Sequence, residues 1–577
     1  MENSAIAAIF EETANVLKIL QDDPKWSFKA AAYERAKRSI ESYSERLDDV
    51  ARDPNRKLTD IPGVGADFAA KIVEIVQTGR LQYLEEKLQH IPRSLLELLH
   101  LQGVGPQKVR LFYQELGIKT LADLENEARA ERLRHLPGMS AKSEEKILQA
   151  LEGIKDSGVR FRLDTAHETA TQLSNYILAF KGAEVVTAAG SLRRGRDTVG
   201  DLDLLVTGHN LGKLPGHLLK FPAIASVLAQ GDDKVSFKLA SGMQVDVRIL
   251  PAECFGAALV YFTGSKEHNV ALRDRAKRRG MKLSEYGLFR GEEVVASRTE
   301  EDIYQALGLP LIPPELREAM GEIEAAEEGK LPDLVALEDI RGDLQMHTTA
   351  SDGKTSVEEM AAAAKELGYR YILITDHSKA VTIAKGLDEE QALEHIKRIH
   401  AARKKVKGIE IWAGSEVDIL GDGSLDYSNE LLAKFDIVLA SIHSRMTQPG
   451  EEMTARILKG LENPYVRILG HPTGRRIFRR EPFNFDLEKV FEAARKFGVI
   501  LEVNASPERL DLSDRHARLA HDKGMKIVIS TDAHQPKHFL LMRYGVTTAR
   551  RGWTEKNDVI NTYPPEKLLA SLRPLPK

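Results

Sequence analysis

The last 240 residues of this 577-residue chain carry short apolar runs that end, again and again, in a histidine or an acid. That repetition constrains the fold more than any other feature of the sequence. The runs are Tyr371–Thr375, Glu410–Ala413, Ile437–Ala440, Val466–Leu469, Val499–Val503 and Ile527–Ser530, with helical segments alternating between them. Such alternation predicts a βα-repeat barrel with its chemistry at the C-terminal ends of the strands. The clusters at those ends contain His347 and Asp352, His377, Glu416, His443, His471, and Asp532 with His534. Mixed imidazole and carboxylate donors suit zinc, manganese or iron. Several such metals held close together can clamp a phosphodiester and generate hydroxide. A single strand-end histidine is usually a hydrogen-bonded filler, but six clusters in register are hard to explain that way.

The N-terminal half has a different texture. Residues 1–155 read as helical, with periodic apolar segments such as Ile6–Leu20 and Leu95–Leu101. Two self-similar turns interrupt them, Ile61–Ile72 with Gly63 and Gly65, and Leu101–Leu111 with Gly103 and Gly105. A Gly-x-Gly turn between short helices aims backbone N–H groups and a helix N-terminus at one phosphate, reading backbone position and not sequence. A third copy, Leu136–Lys142, lacks the second glycine and fits the pattern poorly. Short β-branched runs follow from about Val185 to Leu250, separated by glycine and charged turns, and predict a mixed sheet.

Within that sheet lies Gly190-Ser191-Leu-Arg193-Arg194-Gly195-Arg196, running on to Gly200-Asp201-Leu-Asp203. Alternating side chains put Asp201 and Asp203 on one face of a strand, a hard oxygen site suited to magnesium. Asp246, in the later run Gln244–Ile249, offers a third carboxylate. Three carboxylates can hold two metals, one for an attacking hydroxyl and one for a triphosphate leaving group. Gly190 and Ser191 supply backbone N–H groups and a hydroxyl for phosphate, and Arg193 and Arg194 supply charge. An isolated Asp-x-Asp is usually only a polar strand face; here the accompanying Gly-Ser, arginines and third acid weaken that reading.

Together these residues resemble the family X DNA polymerases, the group that includes DNA polymerase beta. The likeness runs on through Tyr261-Phe262-Thr263-Gly264-Ser265, Asn269, Arg273 and Ser284–Gly287. It implies that Asp201, Asp203 and Asp246 are the catalytic, metal-binding carboxylates with Mg2+ or Mn2+. Gly190, Ser191 and Arg194 would hold the nucleotide phosphates, Tyr261, Phe262 and Gly264 would lie against its sugar, Asn269 would meet the base edge, and Arg273 the template. Gly63, Gly65, Gly103 and Gly105 would contact DNA. Lys71 matches a Schiff-base lysine that some members use to remove a 5′-deoxyribose phosphate, with Lys29 and Tyr33 as further pocket residues; the alternative is a solvated helix lysine. Residues 338–577 resemble the polymerase and histidinol phosphatase (PHP) domain, which implies His347, Asp352, His377, Glu416, His443, His471, Asp532 and His534 as ligands for Mn2+ and/or Zn2+.

Four departures from these families stand out. Asp67 replaces a lysine usual in lyase members, and Lys266 replaces an acid near the nucleotide. Gln244 stands where an arginine normally accompanies the third carboxylate, so Asp246 is expected to lack a positive partner and to have an altered metal preference. Gln345 replaces the first histidine of the opening PHP motif, which predicts a trinuclear-type centre depleted or manganese-leaning at one position. Arg475, Arg476, Arg479 and Arg480 after His471 are either a phosphate-binding run or a solvated loop.

Charge does not decide the matter. Residues 1–337 carry 45 Lys and Arg against 51 Asp and Glu, and residues 338–577 carry 37 against 35, so DNA binding has to rest on local basic stripes. The lone cysteine, Cys254, excludes an internal disulfide and a thiolate-rich metal site, and its apolar surroundings predict a buried thiol. No apolar stretch is long enough to span a membrane and no leader is evident, so a cytoplasmic monomer is expected.

The expected architecture is multidomain, α+β followed by α/β. A helical lyase-like domain with a helix-hairpin-helix spans 1–90 and a second helix-hairpin-helix subdomain spans 91–155. A nucleotidyltransferase palm with a mixed sheet covers 156–260, a nucleotide-selecting subdomain 261–317, a linker 318–337, and a distorted βα barrel of PHP type 338–577. The expected activity is template-directed gap filling on gapped or primed duplex DNA with deoxynucleoside triphosphates. The barrel would add 3′–5′ exonuclease or end processing and AP-site cleavage. The alternatives are a DNA-end phosphoesterase with a vestigial polymerase and a non-catalytic DNA scaffold.

Overall fold

The computed structural model describes residues 3–20, 24–43, 47–52, 56–61, 63–101, 104–154 and 160–574. The chain forms two compact units, one of residues 1–160 and 212–247, the other of 161–211 and 248–577.

The first unit opens with helices Asn3–Leu20 and Pro24–Ser42. Ile6, Phe10 and Leu17 share one face of the first helix and are fully buried, the stripe that an amphipathic helix turns to its core. Two helices then start at the glycine turns, Ala66–Thr78 after Gly65 and Pro106–Leu116 after Gly105. The turns repeat bond for bond: Val64 N–H donates to Ile61 and Val104 N–H to Leu101, each at 3.0 Å. The third copy makes the same turn, Met139 N–H donating to Leu136 at 3.0 Å before helix Ala141–Ile154. Its poor sequence fit misled, because the turn needs only its first glycine; Ser140 stands where the second would be and its hydroxyl accepts from Ser143 N–H. This unit also contains the antiparallel pair Ile224–Gln230 and Lys234–Leu239, with the first four residues of strand Gln244–Ile249 beside the latter.

In the second unit, strand Asp201–Gly208 pairs antiparallel with Ala183–Ala188. Helices Phe255–Thr263 and Lys266–Arg278 follow, with a three-stranded sheet over Lys282–Ala296. The stretch 318–337, expected to be a linker, is packed. Helix Glu322–Glu327 buries Ile323 and Ala326 against Leu272 and Ile303. The acids that gave it a solvated look are buried partners: Glu322 accepts from His268 Nδ1 at 2.6 Å and Glu318 from Arg194 at 3.0 Å.

Beyond it, seven parallel strands run in sequence order: β1 (Gly342–Asp343), β2 (Tyr371–Ile374), β3 (Glu410–Asp418), β4 (Ile437–Ser441), β5 (Val466–Leu469), β6 (Ile500–Asn504) and β7 (Ile527–Ser530). Helices cover them, so almost every strand residue is buried, and this is why the runs are continuous in Val, Ile and Leu instead of alternating. The segments after β1 and β7 bridge at Met346 and Ala533. The Asp343 carboxylate accepts from Thr531 N–H at 3.1 Å, drawing the two edges of the sheet together.

Candidate active sites

The strand ends of the barrel bring all eight expected ligands into one centre. Three groups of donors each lie within 4.8 Å of one another: His347, Asp352, His377 and His534; His377, Glu416 and His443; and His347, Glu416 and Asp532. Glu416, 1% exposed, is the hub, with His471 Nε2 at 2.8 Å, His377 Nδ1 and His443 Nε2 at 3.3 Å, and His347 Nε2 at 3.4 Å. His347 Nε2 also lies 3.1 Å from Asp532, yet neither of its buried ring nitrogens makes a hydrogen bond. A buried imidazole left without a hydrogen bond among carboxylates and further imidazoles is placed as a ligand around cations is placed, and the donor set fits divalent metals. Two of the positions, His471 at φ 27° and Asp532 at φ 54°, hold non-glycine residues in left-handed backbone, strain of the kind that functional sites retain.

Electrostatics favour the ligand forms of His377 and Glu416 and the imidazolium form of His443. Burial pushes His377 down to about 4, so its imidazole is neutral and able to coordinate. Burial would raise the Glu416 carboxyl, but His377 and His443 outweigh it and hold it well below the usual range. At His443 burial opposes the imidazolium, while Glu416 and Asp418 overcome it and raise the pKa to about 9.

Several residues that support this centre were not among the expected ligands. Asp418 accepts from the backbone and Nδ1 of His443 at 2.8 and 3.1 Å, fixing the ring. Asp376 accepts from Thr348, Ser351 and, at 2.8 Å, His395 Nε2. Both acids sit in the same strand-end clusters as the ligands. Glu502 lies within β6 and Asn504 closes it, and neither belongs to a strand-end cluster of histidines and acids. The Asn504 amide reaches Glu502, Asp532 and Gln345 at 3.2–3.4 Å. Gln345 is buried and its Nε2 has no partner. His395 lies inside a helix and nothing in the sequence marked it.

The second site is built on the Asp201–Gly208 strand. Asp201 is exposed and Asp203 half-buried. The Ala189 N–H donates to the Asp203 carbonyl at 2.8 Å, and Gly190 (φ 59°) lies so near that an added Cβ would stand 2.5 Å from Asp203 Oδ2. Glycine is required there because the turn runs over the carboxylate. Residues Gly190–Arg193 form a single helical turn. The two arginines divide: Arg193 is bound to Glu300 at 2.6 and 2.9 Å and to Thr263 at 2.7 Å, so its charge is spent structurally. Arg194 donates to Glu318 and to the Thr263 carbonyl.

Tyr261 is exposed and packs edge-on against Phe262 at 5.0 Å, and Arg248 stands over Phe262 at 4.3 Å. Gly264 ends their helix at φ 70°. Asn269 is buried, donating to the Tyr261 carbonyl at 2.6 Å, and Arg273 donates to the Asn269 carbonyl at 3.3 Å. Asp246, in the other unit, accepts from Ser236 and Gln244 and is 3.2 Å from Lys234 Nζ. The expected lack of a positive partner is therefore corrected: the strand before it supplies a lysine in place of the arginine.

In the N-terminal helices, Lys71 pairs with Asp67 and stands 5.8 Å over the Tyr83 ring. Lys29 and Lys87 stand over the same ring at 4.3 and 5.3 Å, and the buried Tyr33 ring stacks on it at 6.1 Å. Burial raises the Tyr33 phenol above its usual range. Gly63, Gly65 and Gly105 lie at the repeated turns; Gly103 is outside the described residues. The arginine run after His471 is largely committed within the protein: Arg475 to Asp197 at 3.1 Å, and Arg476 and Arg479 to Glu508. Cys254 is buried, as expected.

Four protein-family models match: a helix-hairpin-helix domain over residues 1–81, a SAM-like helix-hairpin-helix tandem over 95–152, the DNA polymerase beta thumb over 258–318 and the PHP domain over 343–506. The DNA polymerase/3′-5′ exonuclease PolX of Bacillus subtilis is 38% identical over 565 residues, 97% of each chain. DNA polymerase lambda of Rattus norvegicus is 29% identical over 329 residues, 51% of this chain and 53% of its own. A probable phosphatase of Thermoanaerobacter is 32% identical over 206 residues, 33% of this chain and 78% of its own.

Proposed function

The chain belongs to the bacterial family X DNA polymerases with a C-terminal PHP domain, and from that membership we propose how its two centres divide a repair reaction. The first extends a primer 3′-hydroxyl across a short gap; the second removes 3′ nucleotides or blocking groups and cuts at abasic sites. The approach of Gly190 to Asp203 supports this reading for the first centre, since it sets the turn proposed to bind phosphate directly against a carboxylate proposed to bind metal.

Asp201, Asp203 and Asp246 are proposed to hold Mg2+ or Mn2+, which would activate the hydroxyl and offset the charge of the triphosphate. Ser191 and the backbone N–H groups of its helical turn bind the terminal phosphates, with Arg194 adding a fixed positive charge. Tyr261 and Phe262 present a flat wall that admits deoxyribose and crowds a 2′-hydroxyl. Asn269 can swing its amide from the Tyr261 carbonyl to a base edge. In the barrel the eight ligands are proposed to bind Mn2+ and/or Zn2+. The neutral His377 and the ionised Glu416 are ready to coordinate without losing a proton. The protein is proposed to act in the cytoplasm as a monomer.

The test is a 5′-labelled primer in a one-nucleotide-gapped duplex, incubated with manganese with and without deoxynucleotides. Wild type is compared with Asp246→Ala and His443→Ala. Extension lost only in the first and shortening lost only in the second are expected. Shortening without extension in the wild type would turn the assignment to a DNA-end phosphoesterase.

A further inference from the structure

The turn assigned to nucleotide phosphate is gripped from behind by the PHP domain. The main-chain carbonyl of Arg194 accepts from Arg551 Nη1 at 2.6 Å. The next residue, Gly195, lies so close to helix Met542–Arg551 that an added Cβ would stand 2.1 Å from Thr547 Cγ2. Two residues on, Asp197 pairs with Arg475 at 3.1 Å. Nearby, Arg162 pairs with Glu508 at 3.1 Å.

Arg551 is the centre of this grip. Its side chain is 3% exposed, and it donates twice to Asp514 Oδ2, at 3.0 and 2.7 Å, within the barrel domain. Its Nη1 also reaches Glu318 at 3.0 Å, and the same Glu318 oxygen accepts from Arg194 Nε, again at 3.0 Å. Arg194 Nη1 donates to the Thr263 carbonyl, so two edges of its guanidinium are fixed by protein acceptors. A guanidinium held in plane loses less freedom when it meets a phosphate, and preorganisation of this kind appears as affinity. A buried arginine serving two carboxylates and a carbonyl is a rigid joint, since removing any partner leaves charge uncompensated.

We propose that Arg551 of the PHP domain is a positioning residue for nucleotide binding in the polymerase centre, acting through Glu318 and the Arg194 carbonyl to hold the Arg194 guanidinium towards the triphosphate. This rests on the assignment of Arg194 to nucleotide phosphate. Its consequence is that the nuclease domain is part of the polymerase's nucleotide site as well as a second enzyme. The opposite side of the Met542–Arg551 helix presents Gly545 to Ile529 and Ala505, on and beside the strands that lead to Asp532 and Asn504. One helix therefore backs both centres.

The experiment is steady-state gap filling over a range of deoxynucleotide concentrations, with full-length wild type, Arg194→Ala, Glu318→Gln and Arg551→Met. Primer shortening without nucleotide and thermal melting are followed in parallel. Arg551→Met and Glu318→Gln are expected to raise the nucleotide KM by about tenfold, the order of one charged hydrogen bond. Their kcat and their shortening rate should stay within about twofold of wild type, a split that general loss of fold cannot produce. If Arg551→Met melts early and loses both activities, Glu318→Gln decides, because it leaves the Arg551–Asp514 pair intact. An unchanged KM in both variants, with a raised KM in Arg194→Ala, overturns the proposal and leaves the Arg194 assignment standing. An unchanged KM in Arg194→Ala overturns that assignment and the proposal with it.

Discussion

Asp201 is exposed and Asp203 half-buried on an open strand, whereas Glu416 is 1% exposed beneath three imidazoles lying within 3.3 Å. On the proposed assignment the two centres use carboxylates for the same purpose, and the structure surrounds Asp201 and Glu416 in opposite ways. A solvated acid is charged at no cost and can wait for a metal that arrives with the triphosphate. A buried acid is tolerated only with its charge matched, so the barrel surrounds it with histidines and is suited to a resident metal. On that assignment Asp201 would be completed by substrate, whereas the Glu416 centre is prefabricated.

Asp203→Ala breaks this contrast most sharply. Primer extension should fall by about 10^3 or more, the several kcal/mol that a catalytic metal supplies, while shortening stays within about twofold and the melting temperature hardly moves. A large drop in melting temperature would mean that the open site is structural after all. Glu416→Ala should do the reverse. Shortening should fall by about 10^2, extension should persist, and the barrel should lose about 3–5 kcal/mol of stability because four histidines lose their common acid. Elemental analysis of purified protein should show metal retained by wild type and depleted in Glu416→Ala; equal content in both would end the prefabricated picture.

What the sequence revealed follows the same division. The barrel strands were legible because burial on both faces forces continuous Val, Ile and Leu, and the candidate ligands were legible because most of them follow such a run. Ile224–Gln230 was invisible as a strand: its residues are almost all exposed, so burial imposed no pattern on them. The stretch 318–337 misled for a related reason. Glu318 and Glu322 read as solvent-facing acids, but arginines and a histidine distant in sequence bury them, and pairing over more than fifty residues leaves no local signature. Lys234 beside Asp246 was not legible because the charge comes from the adjacent strand and not from a sequence neighbour. His395, inside a helix, reaches Asp376 only through tertiary packing.

Gln345 tests how finely the prefabricated site is tuned. Its buried amide faces Asn504, with Nε2 unpartnered, where a second imidazole would face the metals. Gln345→His should raise the metal retained after mild chelation by about tenfold, the lower end of what a change beside a metal site brings, and shift preference from manganese towards zinc. Unchanged retention would show that this corner of the centre does not set metal affinity.

The smallest effect is expected at Lys71, whose side chain is 13% exposed and pairs with the exposed Asp67. The pair is an i,i+4 contact whose acid is open to water, worth about 0.3–0.5 kcal/mol and too weak to withhold the amine from a substrate. Lys71→Ala should therefore change gap filling by less than about threefold. Borohydride trapping on DNA with a 5′-deoxyribose phosphate separates the two readings of this residue. If Lys71 is a nucleophile, the covalent adduct forms with wild type and disappears in Lys71→Ala. Trapping that survives the substitution would pass the role to Lys29 or Lys87, whose amines stand over the same Tyr83 ring. No adduct with wild type would leave Lys71 as half of a surface ion pair, because an amine pocket without imine chemistry does no more than attract the 5′-phosphate.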